Sequence, residues 1–233
     1  MKAMPRIFND MLGLFYPELC ISCEERLISQ EKYICTKCWF DLPVNNFHQE
    51  SDNKVAQLFW GRVQIENAAS YFNYRKGSKY QKLIHFIKYK GLKELGYEMG
   101  VRYGNVLFQS EKIWDIDIVV PVPLHPRKQN KRGYNQSEWI ARGLAVPLTK
   151  PVSADNLFRK LHTSTQTRKN RFERWQNVEG IFGIKHPGEF SGKHILLVDD
   201  VVTTGSTLEA SAFQLLKIED TRVSIATLGF ADY

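Results

Sequence analysis

Residues 195–207 have the sequence ILLVDDVVTTGST, in which an aliphatic run is followed by two acids, two threonines and a glycine. The aliphatic run predicts a buried strand, and the spacing of apolar residues after it predicts a helix from about residue 206 to 217. In open α/β sheets, ligands bind at the carboxyl ends of the strands. The segment therefore predicts an α/β fold with a ligand site where this strand ends.

Strand-like and helix-like segments alternate along the rest of the chain. Strands are predicted at residues 67–74, 116–120, 194–198 and 222–229. Helices are predicted at residues 5–15, 80–89, 92–108, 134–144 and about 206–217. Such alternation is typical of an α/β domain with a mainly parallel sheet. The polar residues 43–54 predict a linker, so we expect two units: residues 1–52, with an N-terminal helix and a cysteine module, and residues 53–233, with the α/β domain.

The end of the 195–207 segment is suited to a phosphate group. A helix N-terminus that follows small residues presents unpaired N–H groups and the positive end of the helix dipole. Gly205 lets the backbone approach a ligand closely. Further donors come from the hydroxyl groups of Thr203, Thr204, Ser206 and Thr207. These residues predict a phosphate-binding loop.

Asp199 and Asp200 indicate what else the ligand contains. Carboxylates repel a phosphate, but they accept hydrogen bonds from sugar hydroxyls and suit a ribose that develops positive charge in a transition state. A ligand with ribose hydroxyls at one end and a 5′-phosphate at the other satisfies both halves of the segment. The alternative is structural, because paired acids after a strand also cap the next helix.

All four cysteines lie near the amino terminus, as two Cys-x-x-Cys pairs: Cys20, Cys23, Cys35 and Cys38. Two such pairs supply the four sulfurs of a closed, tetrahedral structural zinc site. The alternatives are a redox dithiol or free structural cysteines. The nearby His48 is expected on the surface of the linker, because four sulfurs already complete the zinc shell.

The 195–207 segment resembles the signature of the type I phosphoribosyltransferases. Over nearly the whole chain, the sequence also resembles the ComF family of competence proteins. The residues that show this are 121–126 (PVPLHP), 132–137 (RGYNQS), Gln166, Arg174, Asn177, Val178, Phe182 and the double cysteine pair. The resemblance implies a type I phosphoribosyltransferase fold preceded by a small zinc-ribbon-like module.

The same resemblance implies a ligand and roles for residues. The ligand is phosphoribosyl pyrophosphate with Mg²⁺, from which a phosphoribosyl group is transferred to an unidentified acceptor. Asp199 and Asp200 are the expected catalytic pair at the ribose, and residues 203–207 hold the 5′-phosphate. Basic and polar residues of two further segments are expected to bind the substrate at its pyrophosphate end: Arg127, Lys128 and Arg132, and then Gln166, Arg168 and Arg174. Arginine suits this role because its planar fork binds phosphate oxygens in pairs.

A second function remains open beside transfer. The chain has 32 basic and 25 acidic residues, a net charge of +7, which is compatible with a polyphosphate ligand or with nucleic acid. Basic loops near Tyr134, Trp139 and Trp175 fit a protein of the DNA-uptake machinery that binds a ligand or single-stranded DNA without turnover. No apolar run approaches the roughly 20 residues of a membrane span, and the amino terminus has no signal-peptide core. We therefore expect a cytoplasmic protein.

Overall fold

The computed structural model describes residues 17–110, 114–160 and 181–231. Its main sheet has four parallel strands: β1 (Ala68–Tyr74), β2 (Ile118–Pro121), β5 (His194–Val202) and β6 (Arg222–Ala231). They are ordered β1-β6-β5-β2, so β5 lies between β6 and β2. A separate antiparallel ladder pairs β3 (Leu157–Arg159) with β4 (Phe182–Ile184). The parallel sheet confirms the predicted α/β class.

The described helices are α1 (Thr36–Phe40), α2 (Lys54–Gln57), α3 (Gln81–Tyr89), α4 (Lys93–Phe108), α5 (Pro126–Arg132), α6 (Gln136–Leu148) and α7 (Ser206–Leu215), with a short 3₁₀ turn at Pro187–Glu189. Helices α3, α4 and α6 pack on one face of the sheet, and α2 and α7 pack on the other. Both faces are thus covered, as the continuous aliphatic runs of parallel strands require. Within the described ranges, no helix has the length and apolarity needed to cross a bilayer.

Helices α4 and α6 cross at very close range. A Cβ atom added to Gly143 would lie 2.0 Å from the carbonyl oxygen of Tyr97, and one added to Gly100 would lie 2.3 Å from that of Ile140. Only glycine allows this approach of one backbone to the other. The crossing fixes the position of α6, whose first turn lies beside the carboxyl end of β5.

Strand β5 and the residues after β2 differ from the prediction. Strand β5 continues to Val202, so the two acids lie inside the strand and not just beyond it. Residues 126–132 form helix α5 and not one of the basic loops expected near Tyr134. Proline is favoured in the first turn of a helix, and the His125 side chain caps this one by accepting from the Arg127 N–H. The predicted helix at residues 5–15 lies outside the described residues.

The predicted linker at residues 43–54 is packed onto the domain. Asn45 donates from its backbone N–H to Tyr71 in β1, and its side chain donates to Ser70 at 2.9 Å. Asn53 is buried and donates to three carbonyl groups, including that of Ala68. Two of the amide side chains that made the segment polar, those of Asn45 and Asn53, therefore have internal partners.

His48 is also buried, with 5% of its surface exposed, and its expected place on the linker surface is wrong. Its carbonyl oxygen accepts from the indole N–H of Trp114, which holds this part of the chain against the domain.

Candidate functional site

The carboxylate of Asp199 lies at the carboxyl end of β5, facing the first turn of α6. Its Oδ1 accepts from the Ser137 hydroxyl at 2.7 Å and from the backbone N–H of Asp200 at 2.8 Å. Burial, and next the neighbouring Asp200 carboxylate, raise the pKa of Asp199. The hydrogen bonds at Oδ1 fix the direction of the carboxylate.

Asp200 is 4% exposed and forms an ion pair with a residue that the sequence analysis did not select. Lys88, near the end of α3, lies with its Nζ 2.8 Å from Asp200 Oδ1. Burial by itself would lower the pKa of Lys88, but the carboxylates of Asp200 and then Asp199 outweigh it and raise that pKa. The other oxygen, Oδ2, is buried and has no hydrogen-bond partner within the described part of the chain.

The predicted phosphate loop joins β5 to α7 and is open to solvent. Thr203, Thr204, Ser206 and Thr207 are exposed. Gly205 is the N-cap residue of α7 and supplies no side-chain acceptor to its first-turn N–H groups. A helix of ten residues with an uncapped, exposed N-terminus is a suitable anion site.

Gly205 is needed for two structural reasons besides approach to a ligand. Its φ of +75° is in the left-handed region, which side chains other than glycine rarely adopt. A Cβ at this position would also lie 3.0 Å from the ring of Phe59, which is fully buried. The sequence indicated a role for Gly205 in the loop but not its packing against Phe59.

Arg62 holds the same loop from outside. Its guanidinium donates to the carbonyl oxygens of Leu58 and Thr204, each at 2.9 Å, and forms an ion pair with Glu209 in the first turn of α7. The arginine thus ties the loop to the helix that follows it. It was missed because 142 residues separate it from Thr204 and no local pattern marks it.

Two of the three basic residues predicted after β2 line a cavity of about 280 Å³. The cavity is bounded by Lys88, Tyr89, Gly91, Lys128, Lys131 and Arg132. Arg132 donates to Gln136 at 2.7 Å and lies over the ring of Tyr89 at 4.9 Å. Arg127 is exposed on α5 and is not among the residues that line the cavity. Lys88 brings the cavity into contact with Asp200.

A larger cavity of about 490 Å³ lies between α5, the start of α6 and the β3–β4 ladder. Asn135 lines it and accepts from the Ser137 N–H through its side-chain oxygen. Ser137 in turn donates to Asp199, so Asn135 connects the wall of this cavity to the residue that holds Asp199. The ladder brackets residues 161–180, and the predicted substrate-binding residues Gln166, Arg168 and Arg174 lie outside the described residues.

The aromatic residues considered for stacking on DNA have other contacts. The Tyr134 hydroxyl donates to the carbonyl oxygen of Ile87, and Lys93 lies over the ring of Trp139 at 4.5 Å. Trp175 lies outside the described residues.

The four cysteines form a second candidate site. Their sulfurs all lie within 4.8 Å of one another, and Cys23 Sγ is 3.6 Å from Cys35 Sγ. That distance is far too long for a disulfide bond of about 2.05 Å. It is close to the roughly 3.8 Å between sulfurs on a tetrahedral zinc with Zn–S bonds of about 2.3 Å. The four cysteines are therefore arranged to hold one metal ion.

The four cysteines differ in how readily they ionise without a metal. Burial opposes ionisation of Cys20, but backbone N–H groups, including that of Cys35 at 3.3 Å, outweigh it and lower the pKa to about 7. Burial raises the pKa of Cys38 to about 12. A bound cation is what allows closely spaced thiols to be deprotonated together.

The cysteine cluster is attached to the α/β domain by packing. Its buried residues belong to the same hydrophobic core as α3 and α4. Arg102 of α4 lies 3.9 Å from the centre of the Trp39 ring, and Lys79 forms an ion pair with Asp41 at 3.4 Å. The cluster therefore has a fixed place beside the helices that cover the sheet.

Comparison with known proteins supports the domain and the relationship. Residues 131–230 match the family model described as "Phosphoribosyl transferase domain". Competence protein F of Haemophilus influenzae is 36% identical over 103 residues, which cover 44% of this chain and 45% of that protein. The DNA utilization protein YhgH of Escherichia coli K12 is 36% identical over 101 residues, covering 43% of this chain and 44% of that protein.

Competence protein ComFC of Bacillus subtilis is 34% identical over 100 residues, covering 43% of this chain and 38% of that protein. These alignments span less than half the length of each curated relative. The matched domain begins within the last residues of α5 and contains the whole of β5 and the phosphate loop. With its parallel sheet and its amino-terminal cysteine cluster, the chain has the type I phosphoribosyltransferase fold and is similar, over the matched region, to the competence proteins named above.

Proposed function

We propose that the chain binds phosphoribosyl pyrophosphate with Mg²⁺ and transfers its phosphoribosyl group to an acceptor not yet identified. The observation that supports this most strongly is the order of groups along β5 and α7: two carboxylates, an exposed hydroxyl-rich loop and an uncapped helix N-terminus. Acids suit ribose hydroxyls, and the helix N-terminus suits the 5′-phosphate.

In this proposal the carboxylate of Asp199 faces the ribose, and the expected ribose contact of Asp200 is replaced by its buried ion pair with Lys88. Asp199 is held by Ser137 with one oxygen committed, so its charge stays oriented toward C1 while positive charge develops there. The 490 Å³ cavity lined by Asn135 and the β3–β4 ladder is our candidate position for the acceptor. Bond breaking at C1 releases pyrophosphate, and a nitrogen nucleophile of the acceptor forms the new bond.

The pyrophosphate end lies toward the basic residues of α5. Lys128 and Arg132 face the 280 Å³ cavity, and their positive charges stabilise the leaving group. Mg²⁺ prefers oxygen ligands, and the half-buried carboxylate of Asp199 fits that preference beside the oxygens that the ligand itself supplies. When bound, the ion would neutralise charge on the departing pyrophosphate.

For the cysteine cluster we propose a structural zinc ion held by Cys20, Cys23, Cys35 and Cys38. Four protein sulfurs leave no open position for a substrate, and the shared core places the ion beside α3 and α4.

We also propose a role linked to DNA uptake, because the relatives named above are called competence and DNA utilization proteins. The rival function, a non-catalytic protein that binds a ligand or single-stranded DNA, uses the same basic surface. Tyr134 and Trp139, two of the aromatic residues that this rival would use, are half-buried and already have contacts with Ile87 and Lys93.

The test compares two ligands on one variant. Asp199→Asn keeps the shape of the side chain and removes its charge. If the carboxylate binds ribose hydroxyls, the affinity for phosphoribosyl pyrophosphate falls about tenfold or more, since a charge-assisted hydrogen bond is worth roughly 1.5–3 kcal/mol. The affinity for inorganic phosphate stays equal or increases. Calorimetry measures both.

Asp115→Asn is the matched control, because this exposed acid precedes the amino end of β2 and pairs with Arg222. It should leave both affinities unchanged. Parallel tightening of both ligands in Asp199→Asn would show that Asp199 does not bind the sugar. Release of pyrophosphate by the wild-type protein, measured with a panel of nucleobases, distinguishes transfer from binding alone.

A further inference from the structure

The ion pair between Lys88 and Asp200 joins the two halves of the proposed site. Asp200 is on β5, in the acid pair, and Lys88 is on α3, next to the basic cavity. The carboxylate is almost fully buried and the lysine side chain is 24% exposed. The buried end of the pair is therefore the acid, and the end that reaches the cavity is the ammonium group.

The cavity that Lys88 lines is strongly positive. Lys128, Lys131 and Arg132 share it, and within the described part of the chain none of these three forms an ion pair with an acid. Basic side chains that surround a small space attract an anion. At about 280 Å³, the space lies just below the usual range for drug-sized ligands and suits a compact anion such as pyrophosphate.

An ammonium group has three N–H donors and no acceptor. The pair with Asp200 uses one donor, at 2.8 Å, and leaves others for a second partner. Lys88 can thus bind Asp200 and an anion in the cavity at the same time. Asp200 cannot bind the anion itself, because its unpaired oxygen, Oδ2, is buried and carries negative charge.

We infer that Lys88 is a positioning residue that holds Asp200 in place and also binds the pyrophosphate group of the ligand from the α3 side. The inference deepens the proposed function and rests on it, because it assigns the cavity to the diphosphate end of the same ligand. It adds a cation from a segment outside the matched transferase domain, which begins at residue 131.

A single change at Lys88 would leave Asp200 buried without its partner, so folding and binding effects would be mixed. The double variant Lys88→Gln/Asp200→Asn removes one charge of each sign and keeps the local net charge unchanged. Asp200→Asn alone serves as its reference, because it retains the ammonium group. Lys82→Gln is the matched control on the same helix, where Lys82 pairs with the exposed Glu24.

Binding of inorganic pyrophosphate with Mg²⁺ is measured by calorimetry for the four proteins, with thermal unfolding as a check on folding. Wild type, Asp200→Asn and Lys82→Gln should bind pyrophosphate, with Asp200→Asn equal to wild type or tighter. The double variant should bind it about tenfold or more weakly than Asp200→Asn, the size expected for one charge-assisted hydrogen bond. Equal affinity in those two variants, or no binding by wild type, would overturn the inference.

The sugar-phosphate ligand separates this result from the proposed function. Ribose 5-phosphate lacks the pyrophosphate group, so the double variant should lose less affinity for it than for phosphoribosyl pyrophosphate, relative to Asp200→Asn. If Lys88 is needed for pyrophosphate but Asp199→Asn leaves sugar binding unchanged, the proposed function fails and the inference about the cavity stands. If Asp199→Asn weakens sugar binding but the double variant binds pyrophosphate as tightly as Asp200→Asn, only the role of Lys88 is refuted.

Discussion

Replacement of Gly205 by alanine tests whether the phosphate loop is held in its present shape by the fold. Gly205 has φ +75°, and the added methyl group would lie 3.0 Å from the Phe59 ring. Phe59 is fully buried in the core beneath α7, so the ring cannot move without repacking its neighbours. We expect Gly205→Ala to destabilise the protein as well as to disturb the loop.

The magnitude follows from three contributions. The left-handed conformation costs an L-residue with a side chain about 1–2 kcal/mol, and displacement of a buried ring costs at least about 1 kcal/mol. The lower entropy of the unfolded alanine chain offsets roughly 0.4–1 kcal/mol. The free energy of unfolding should therefore fall by about 2 kcal/mol, which for a chain of this length lowers Tm by about 4–8 °C.

Thermal and urea unfolding of three variants measure this effect. Gly188→Ala is the control for the chemical change, because its Cβ would meet no atom within 4 Å and its φ is not in the left-handed region. Thr204→Ala is the control for the loop, since its hydroxyl is exposed and lies 3.1 Å from the Ser206 hydroxyl. Both controls should stay within about 0.5 kcal/mol of wild type. If Gly205→Ala does so too, the loop is not held by Phe59 and the reasoning is refuted.

Two further predictions concern the cysteine cluster and the dependence of stability on pH. Protein purified in reductant without chelator should contain about one zinc per chain. Cys23→Ser should lose the zinc and loosen the module, because metal binding and folding of a small module are coupled. Elemental analysis that finds no zinc in the wild type would contradict this prediction. Burial lowers the pKa of both His48 and His194 in the folded protein, so below about pH 6.5 the unfolded chain binds protons first and the free energy of unfolding falls. Urea unfolding at pH 7.5 and 5.5 should show that fall, and His48→Gln should reduce it; an undiminished fall in the variant would exclude His48 as a source.

The local sequence was enough to predict the parallel sheet and the strand-to-helix turn at which the candidate site lies. The run of aliphatic residues before Asp199 requires burial on both sides, and that requirement is met by a central parallel strand wherever the rest of the chain lies. The small residues at 203–207 likewise predict a strand-to-helix turn with exposed N–H groups, because the conformational freedom of glycine and the missing side-chain cap are local properties. The spacing of the two cysteine pairs predicted the clustering of their sulfurs for the same reason.

The partners of these residues depend on the way distant segments pack. Lys88 and Arg62 look like ordinary basic surface residues in the sequence, yet one pairs with Asp200 and the other ties Thr204 to α7. The burial of His48 similarly follows from the docking of residues 43–54 against β1. An ion pair or a packing contact depends on where two side chains lie in space. Periodicity and turn propensity do not predict such contacts, because they describe only near neighbours along the chain.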